Sequence, residues 1–120
     1  MNDAASRFDL ILEKYRGSRR FVSALEKFLQ KYPNHIDGLH HYAYYQQTPL
    51  QTLAFEQTAV AIGMRALPKE FRIGRDRLPT GYIQNRPFLR AMHGLMLSFR
   101  RVELVDDAIV AGQECLALDV

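Results

Sequence analysis

Residues 85–120 read NRPFLRAMHGLMLSFRRVELVDDAIVAGQECLALDV, and this stretch decides the fold. It divides into two helices with a tight turn at Val102 and Glu103. In the first, Phe88, Leu89, Met92, Leu95, Met96 and Phe99 make a broad apolar surface, and Asn85 is a candidate N-cap. In the second, Leu104, Ala108, Ala111, Cys115 and Leu118 follow one another at steps of four, three, four and three, while Val105, Ile109 and Leu116 form a parallel row. A helix with one apolar stripe packs against one neighbour. A helix with two rows has to be covered on both sides, as inside a stack of helical hairpins. The stretch therefore predicts an all-α fold of stacked hairpins.

The rest of the chain extends the pattern. Ala5, Phe8, Leu12 and Tyr15 share one face of a helix over about 3–16, stopped by Gly17. Phe21, Leu25, Phe28 and Tyr32 do the same over 18–32, until Pro33. A third segment, about 36–46, turns Ile36, Leu39, Tyr42 and Ala43 inward, although its three tyrosines also suit a strand. Thr48-Pro49-Leu50-Gln51 is a helix start: the hydroxyl accepts from a backbone amide, the proline fits the first turn and Gln51 closes a capping box. That helix runs to about Ala66 with one row of Phe55, Ala59, Ile62 and Ala66 and another of Leu53, Val60, Met64 and Leu67. Residues 68–85 follow with two prolines, two glycines and no sustained periodicity. Loops of that length are functional or disordered.

At 120 residues with 48% hydrophobic content, the chain is one domain able to build a core without disulfides or metal. The lone Cys115 cannot form an internal disulfide and reads as a small core residue. No apolar run approaches a membrane span and the polar start, Asn2-Asp3, carries no export signal, so the cytoplasm is the expected location. The net charge of +3, from 16 basic and 13 acidic residues, is too mild for a dedicated nucleic-acid binder. Its distribution is uneven, however: Lys69, Arg72, Arg75, Arg77, Arg86, Arg90, Arg100 and Arg101 all lie in the second half.

A small residue followed at four and seven positions by packing residues recurs in three second helices: Ala24 with Phe28, Ala54 with Thr58 and Ala61, and Ala108 with Gly112 and Cys115. Once 68–85 is set aside, the period is near that of a tetratricopeptide repeat. The stretch from Ala108 to Asp119 resembles that family's second helix, and His93-Gly94 with Leu97 resembles its first. The opening Asn85-Arg86-Pro87-Phe88-Leu89-Arg90 also resembles a bacterial subgroup with an insertion before the last hairpin. The resemblance implies about three antiparallel hairpins stacked as a superhelix over 1–120, complete or the N-terminal part of a longer array.

Catalytic signatures are missing: the sequence has no phosphate-binding loop, no Gly-x-Gly-x-x-Gly, no Gly-x-Ser-x-Gly and no His-Glu-x-x-His. The expectation is a non-enzymatic protein without cofactor or metal. His40 and His41 are adjacent and do not share the face that bidentate metal binding by a helix requires. Arg86, Arg90 and His93 lie on one side of a helix beside apolar surface. They read either as anchors for the insertion or an acidic side chain, or as a basic rim for an acidic peptide. Of Tyr42, Tyr44 and Tyr45, one or two belong to the core. In repeats of the resembled type the first helix of each hairpin lines the concave surface, which points to Tyr44, with Tyr45, and to His40 or His41 as contact residues.

The function expected is recognition of a protein or peptide in a groove between hairpins, through His40, Tyr44, Tyr45, Arg72, Arg75, Arg86, Arg90 and His93. The alternative is a basic helical regulatory domain that applies its arginines to phosphates of nucleic acid or another anionic ligand. Because nothing downstream covers the row Val105, Ile109 and Leu116, self-association through the last helix is also expected, a symmetric dimer being the simplest form.

Overall fold

The computed structural model describes residues 3–119. The chain is all-helical: α1 (Asp3–Tyr15), α2 (Phe21–Lys31), α3 (Ile36–Tyr44), α4 (Pro49–Ala66), α5 (Arg86–Arg101) and α6 (Val105–Leu118), with a single turn of 3-10 helix, Ile83–Asn85, before α5. No strand occurs among the described residues; one isolated bridge joins Ile73 and Asp76 in the long loop. The expected continuation of the last helix to Val120 and the polar residue Asn2 lie outside the described residues.

Local chemistry explains most boundaries. Gly17 stops α1 at φ +82°, a left-handed conformation that costs glycine nothing sterically. Ser18 then holds a turn: its hydroxyl donates to the Tyr15 carbonyl at 2.7 Å and accepts from the Arg20 amide. This competing hydrogen bonding delays α2 to Phe21, three residues after Ser18, where the periodicity had placed its start. Thr48 and Gln51 form the reciprocal capping box that opens α4. Glu103, at φ +65°, makes the tight turn into α6.

Asn85 does not cap α5. Its backbone is already helical because the 3-10 turn precedes it, and its side-chain amide donates to the Pro79 carbonyl instead. A cap not anticipated from sequence opens α3: the His35 Nδ1 accepts from the Gly38 amide at 3.0 Å.

Each helix packs on the next in chain order, and α3 also meets α5. Two apolar clusters result. Phe8, Phe21, Leu25 and Phe28 close the first hairpin, and the larger cluster joins Leu39, Leu53, Ala59, Val60, Phe88, Ala91, Met92, Leu95 and Leu118.

The inner face of α4 differs from the two rows expected. Its buried residues are Thr52, Leu53, Glu56, Ala59, Val60 and Gly63, whereas Ala66 is exposed and Phe55 is half-buried. The row Ala54, Thr58 and Ala61, expected to mark a close helix contact, faces outward. The physical reason is that α5 runs antiparallel against the small residues. A Cβ at Gly63 would lie 2.1 Å from the Phe88 ring, and one at Gly94 would collide with the Glu56 carboxylate. Each helix thus offers a glycine notch to a large side chain of the other.

The long loop packs against the end of the fold. Phe71 and Leu78 contact the larger core, the Leu78 amide donates to the Leu118 carbonyl at 2.8 Å, and Thr80 donates to the Asp119 carboxylate from both its amide and its hydroxyl. On α6, Ala108, Ala111 and Leu118 are buried, while Val105, Ile109 and Leu116 are 57%, 52% and 66% exposed. The first of its two apolar rows is therefore covered from Ala108 onward, with Leu104 44% exposed, and the other row is open.

Candidate binding groove

A groove of about 740 Å³ lies across α3 and α5, closed at its ends by the turn before α2 and by Thr80 of the loop. Helical spacing assembles it. On α5 the positions Arg86, Arg90, His93, Leu97 and Arg101 follow at steps of four, three, four and four, with Leu89 beside Arg90, so they occupy one face. On α3 the corresponding face carries His40, His41 and Tyr44, followed by Tyr45. Phe21, Leu89 and Leu97 supply apolar floor; Arg16, Arg86, Arg90 and Arg101 supply four guanidinium groups.

An ion pair and a histidine–carboxylate hydrogen bond set the geometry beneath. Arg90 reaches across to Asp37 at the start of α3, with Nε 3.2 Å from Oδ1 and Nη2 2.9 Å from Oδ2, a bidentate arrangement that holds α3 and α5 in register. Asp37 is only 7% exposed, so its charge requires this partner. Glu56, 3% exposed, accepts from His40 Nδ1 at 2.8 and 3.1 Å through its two oxygens. The notch at Gly94 makes room for that carboxylate. His40 therefore carries a proton on Nδ1, and its Nε2 makes no hydrogen bond among the described residues.

His41 behaves differently. Its Nδ1 donates to the Asp37 carbonyl at 2.8 Å, and its ring packs edge-on against Phe8 and Phe21. Burial lowers its pKa below the ordinary imidazole value, which favours the neutral form. Thr52 locks the floor from below by donating its hydroxyl to the Ala43 carbonyl at 2.9 Å.

At the mouth, Tyr44 is 74% exposed and stacks edge-on against Tyr45 at 5.3 Å, while Tyr45 in turn rests on Phe21 at 5.5 Å. Arg86 uses its Nε on the Thr80 carbonyl at 2.9 Å, which ties the loop to α5. Arg16 and Arg101 have no ion-pair partner among the described residues. Glu56, already engaged by His40, is the only carboxylate lining the groove among the described residues. The local field is therefore positive.

Six of the eight residues singled out from sequence converge here: His40, Tyr44, Tyr45, Arg86, Arg90 and His93. The anchoring role divides among them, since Arg86 and Arg90 are bonded to the loop and to Asp37 whereas His93 is exposed without a hydrogen bond among the described residues. Arg72 and Arg75 do not join the groove. Arg72 donates to the carbonyls of Lys69 and Phe71, and Arg75 pairs with Asp76 and donates to the Glu70 carbonyl, so both fold their own loop. Sequence reasoning missed Glu56 and Arg16, named Gly94 without a role in the site, and offered Arg101 only for the phosphate-binding alternative. The available signal was Glu56 itself, an acid on the same helical row as Thr52, Ala59 and Gly63.

Among the described residues no group of His, Cys, Asp or Glu is placed to hold a metal ion, and no helix is long and apolar enough to cross a membrane. Cys115 is a free, half-buried thiol whose pKa is raised first by burial and then by Glu114, so it is a poor nucleophile. No protein-family model, curated protein or solved structure matches this chain.

Proposed function

We propose that the groove across α3 and α5 binds an acidic segment of a partner protein, and that the chain is a non-enzymatic recognition module of stacked helical hairpins. The observation that carries this reading is the pairing of an apolar floor with four arginines, of which Arg16 and Arg101 are unpaired among the described residues. Carboxylates on a peptide would complete those guanidinium groups, for which forked, bidentate hydrogen bonding is the natural mode. Tyr44 and Tyr45 add rigid amphipathic area at the mouth, the kind of surface on which binding energy concentrates. The nucleic-acid reading has less support, because Arg72 and Arg75 spend their hydrogen bonds within the loop.

Selection of a random displayed peptide library on the immobilised protein, followed by fluorescence anisotropy with the recovered peptides, tests the proposal. Recovered sequences should be enriched in Asp and Glu, and Arg101→Glu should weaken their binding at least about tenfold. Peptides without acidic enrichment, or unchanged affinity in Arg101→Glu, would refute it. A single-stranded oligonucleotide that displaces the peptides and is itself released steeply by salt would favour the phosphate-binding alternative.

A further inference from the structure

His40 commits one ring nitrogen to the protein and leaves the other free. Its Nδ1 donates to Glu56, at 2.8 and 3.1 Å from the two oxygens, so the neutral ring carries its lone pair on Nε2. Among the described residues no buried side-chain nitrogen or oxygen lacks a hydrogen-bond partner. Nε2 has no partner there, so it is open to solvent, and the His40 side chain, 25% exposed, lines the groove. Glu56 fixes this state. Its buried carboxylate only accepts, and Gly94 leaves the volume it fills, so the proton stays on Nδ1 and the outward nitrogen is an acceptor.

The groove is also polarised along its length. Helices α3 and α5 run in the same direction across it, since Asp37 meets Arg90 and a Cβ at Gly94 would lie 3.0 Å from the His40 Cε1. At the Asp37 end Arg90 is engaged by Asp37 and Arg86 by the Thr80 carbonyl. At the Tyr44 and Tyr45 end lie Arg101, the last residue of α5, and Arg16, close enough to His41 for its charge to act on that ring. Neither has an ion-pair partner among the described residues. The free guanidinium groups therefore sit at one end and the acceptor in the middle. Gly94 to Arg101 is about 10 Å of helix, the length of about three residues of an extended segment. The positive field of the arginines opposes a lysine or arginine as donor to His40, which leaves neutral donors.

We propose that His40 is the specificity determinant of the groove: an acceptor that selects, in an extended acidic segment, a hydroxyl or carboxamide donor about three residues from the carboxylate held by Arg16 and Arg101. The inference rests on the recognition reading above and adds a second requirement to it. Glu56 is a positioning residue here, acting on the ligand only through the tautomer it imposes. A side chain of the right size without a donor, such as valine for threonine, would leave the Nε2 lone pair desolvated and unpaired.

Two measurements on the whole chain at about pH 8 test it. Nitrogen-15 spectra of the histidine rings in the free protein should show His40 protonated at Nδ1 and bare at Nε2; a proton on Nε2 would overturn the proposal without any ligand. The second uses the acidic peptides recovered from the displayed library, synthesised with Thr and with Val at each position near the carboxylate. Thr should bind at least about fivefold better than Val at one position, about three residues away. Replacing the pair by apolar groups of similar size, His40→Phe with Glu56→Met, should bring the two peptides within about twofold. Should that variant unfold, the isosteric Glu56→Gln carries the test: its carboxamide can donate to Nδ1, so a proton should appear on His40 Nε2, and a preference for Thr over Asp at that position should narrow at least about fivefold. Acidic peptides with no Thr preference at any position, or a preference that survives loss of the pair, would overturn this inference and leave the recognition reading standing. A library that yields no acidic peptides would overturn both.

Discussion

Alanine is the better helix former, yet Gly63→Ala should destabilise this protein. Gly63 lies in the last turn of α4, and there the substitution by itself favours the helix by up to about 1 kcal/mol. The added Cβ, however, would lie 2.1 Å from Cδ1, 2.4 Å from Cε1 and 3.1 Å from Cγ of Phe88. Carbon atoms in contact sit at about 3.5 to 4.0 Å, so the ring or the whole of α5 has to retreat by roughly 1.5 Å. Phe88 is 6% exposed and packed in the larger core, which leaves the ring nowhere to turn. Overpacking of this kind costs about 1 to 3 kcal/mol, and a direct clash with a buried ring belongs at the upper end. The net expectation is a loss of about 2 kcal/mol, equivalent to a fall in Tm of about 8 °C for a domain of this size. Urea unfolding followed by circular dichroism measures it. The diagnostic step is a double-mutant cycle with Phe88→Leu: with the ring gone, Gly63→Ala should recover its helix-forming advantage, giving a coupling of about 3 kcal/mol. A stabilised single mutant, or additive effects in the cycle, would show that α4 and α5 do not approach this closely.

Other outcomes follow from the same structure. Gly94→Ala should cost about 1 to 2 kcal/mol and shift the His40 ring resonances, because its Cβ would displace the Glu56 carboxylate from its notch; an unperturbed His40 would contradict this. Burial lowers the pKa of His35 and His41 below the unperturbed 6.5, so the unfolded chain takes up protons first and stability should fall as pH drops through that value. Protonation of His35 Nδ1 also removes the acceptor that caps α3, and His35→Asn, which caps without titrating, should flatten the dependence of the urea midpoint between about pH 7.5 and 5.5. A pH-independent wild-type midpoint would count against this account. In hydrogen exchange the Leu78 amide, bonded to Leu118, should be protected at least about tenfold more than those of the exposed Gly74 and Gly81; equal rates throughout the loop would mean it does not dock on α6.

What the sequence determined by itself is whatever depends on near neighbours along the chain. Apolar spacing sets the helices and their inner faces for α1, α2 and α5, and capping chemistry sets boundaries such as Thr48 and Gly17. The same spacing places Arg86, Arg90 and His93 on one face of α5, and all three line the groove. The α3 face was legible in the same way, with His40 and Tyr44 together. Where local signals compete, sequence is less decisive: Ser18 and Asn85 both suggested helix starts and both spend their side chains on turns.

Only the tertiary structure decided which residues far apart in the chain share an environment. The Arg90 to Asp37 pair spans 53 positions, and the Thr80 to Asp119 contact spans 39. No periodicity encodes such a separation. Tertiary structure also turned Arg72 and Arg75 away from the groove by giving them closer partners, and it made Glu56 a buried floor residue because Gly94 on another helix leaves the volume for a carboxylate. Charge and notch size act through space, and their outcome is set by which helix lies opposite.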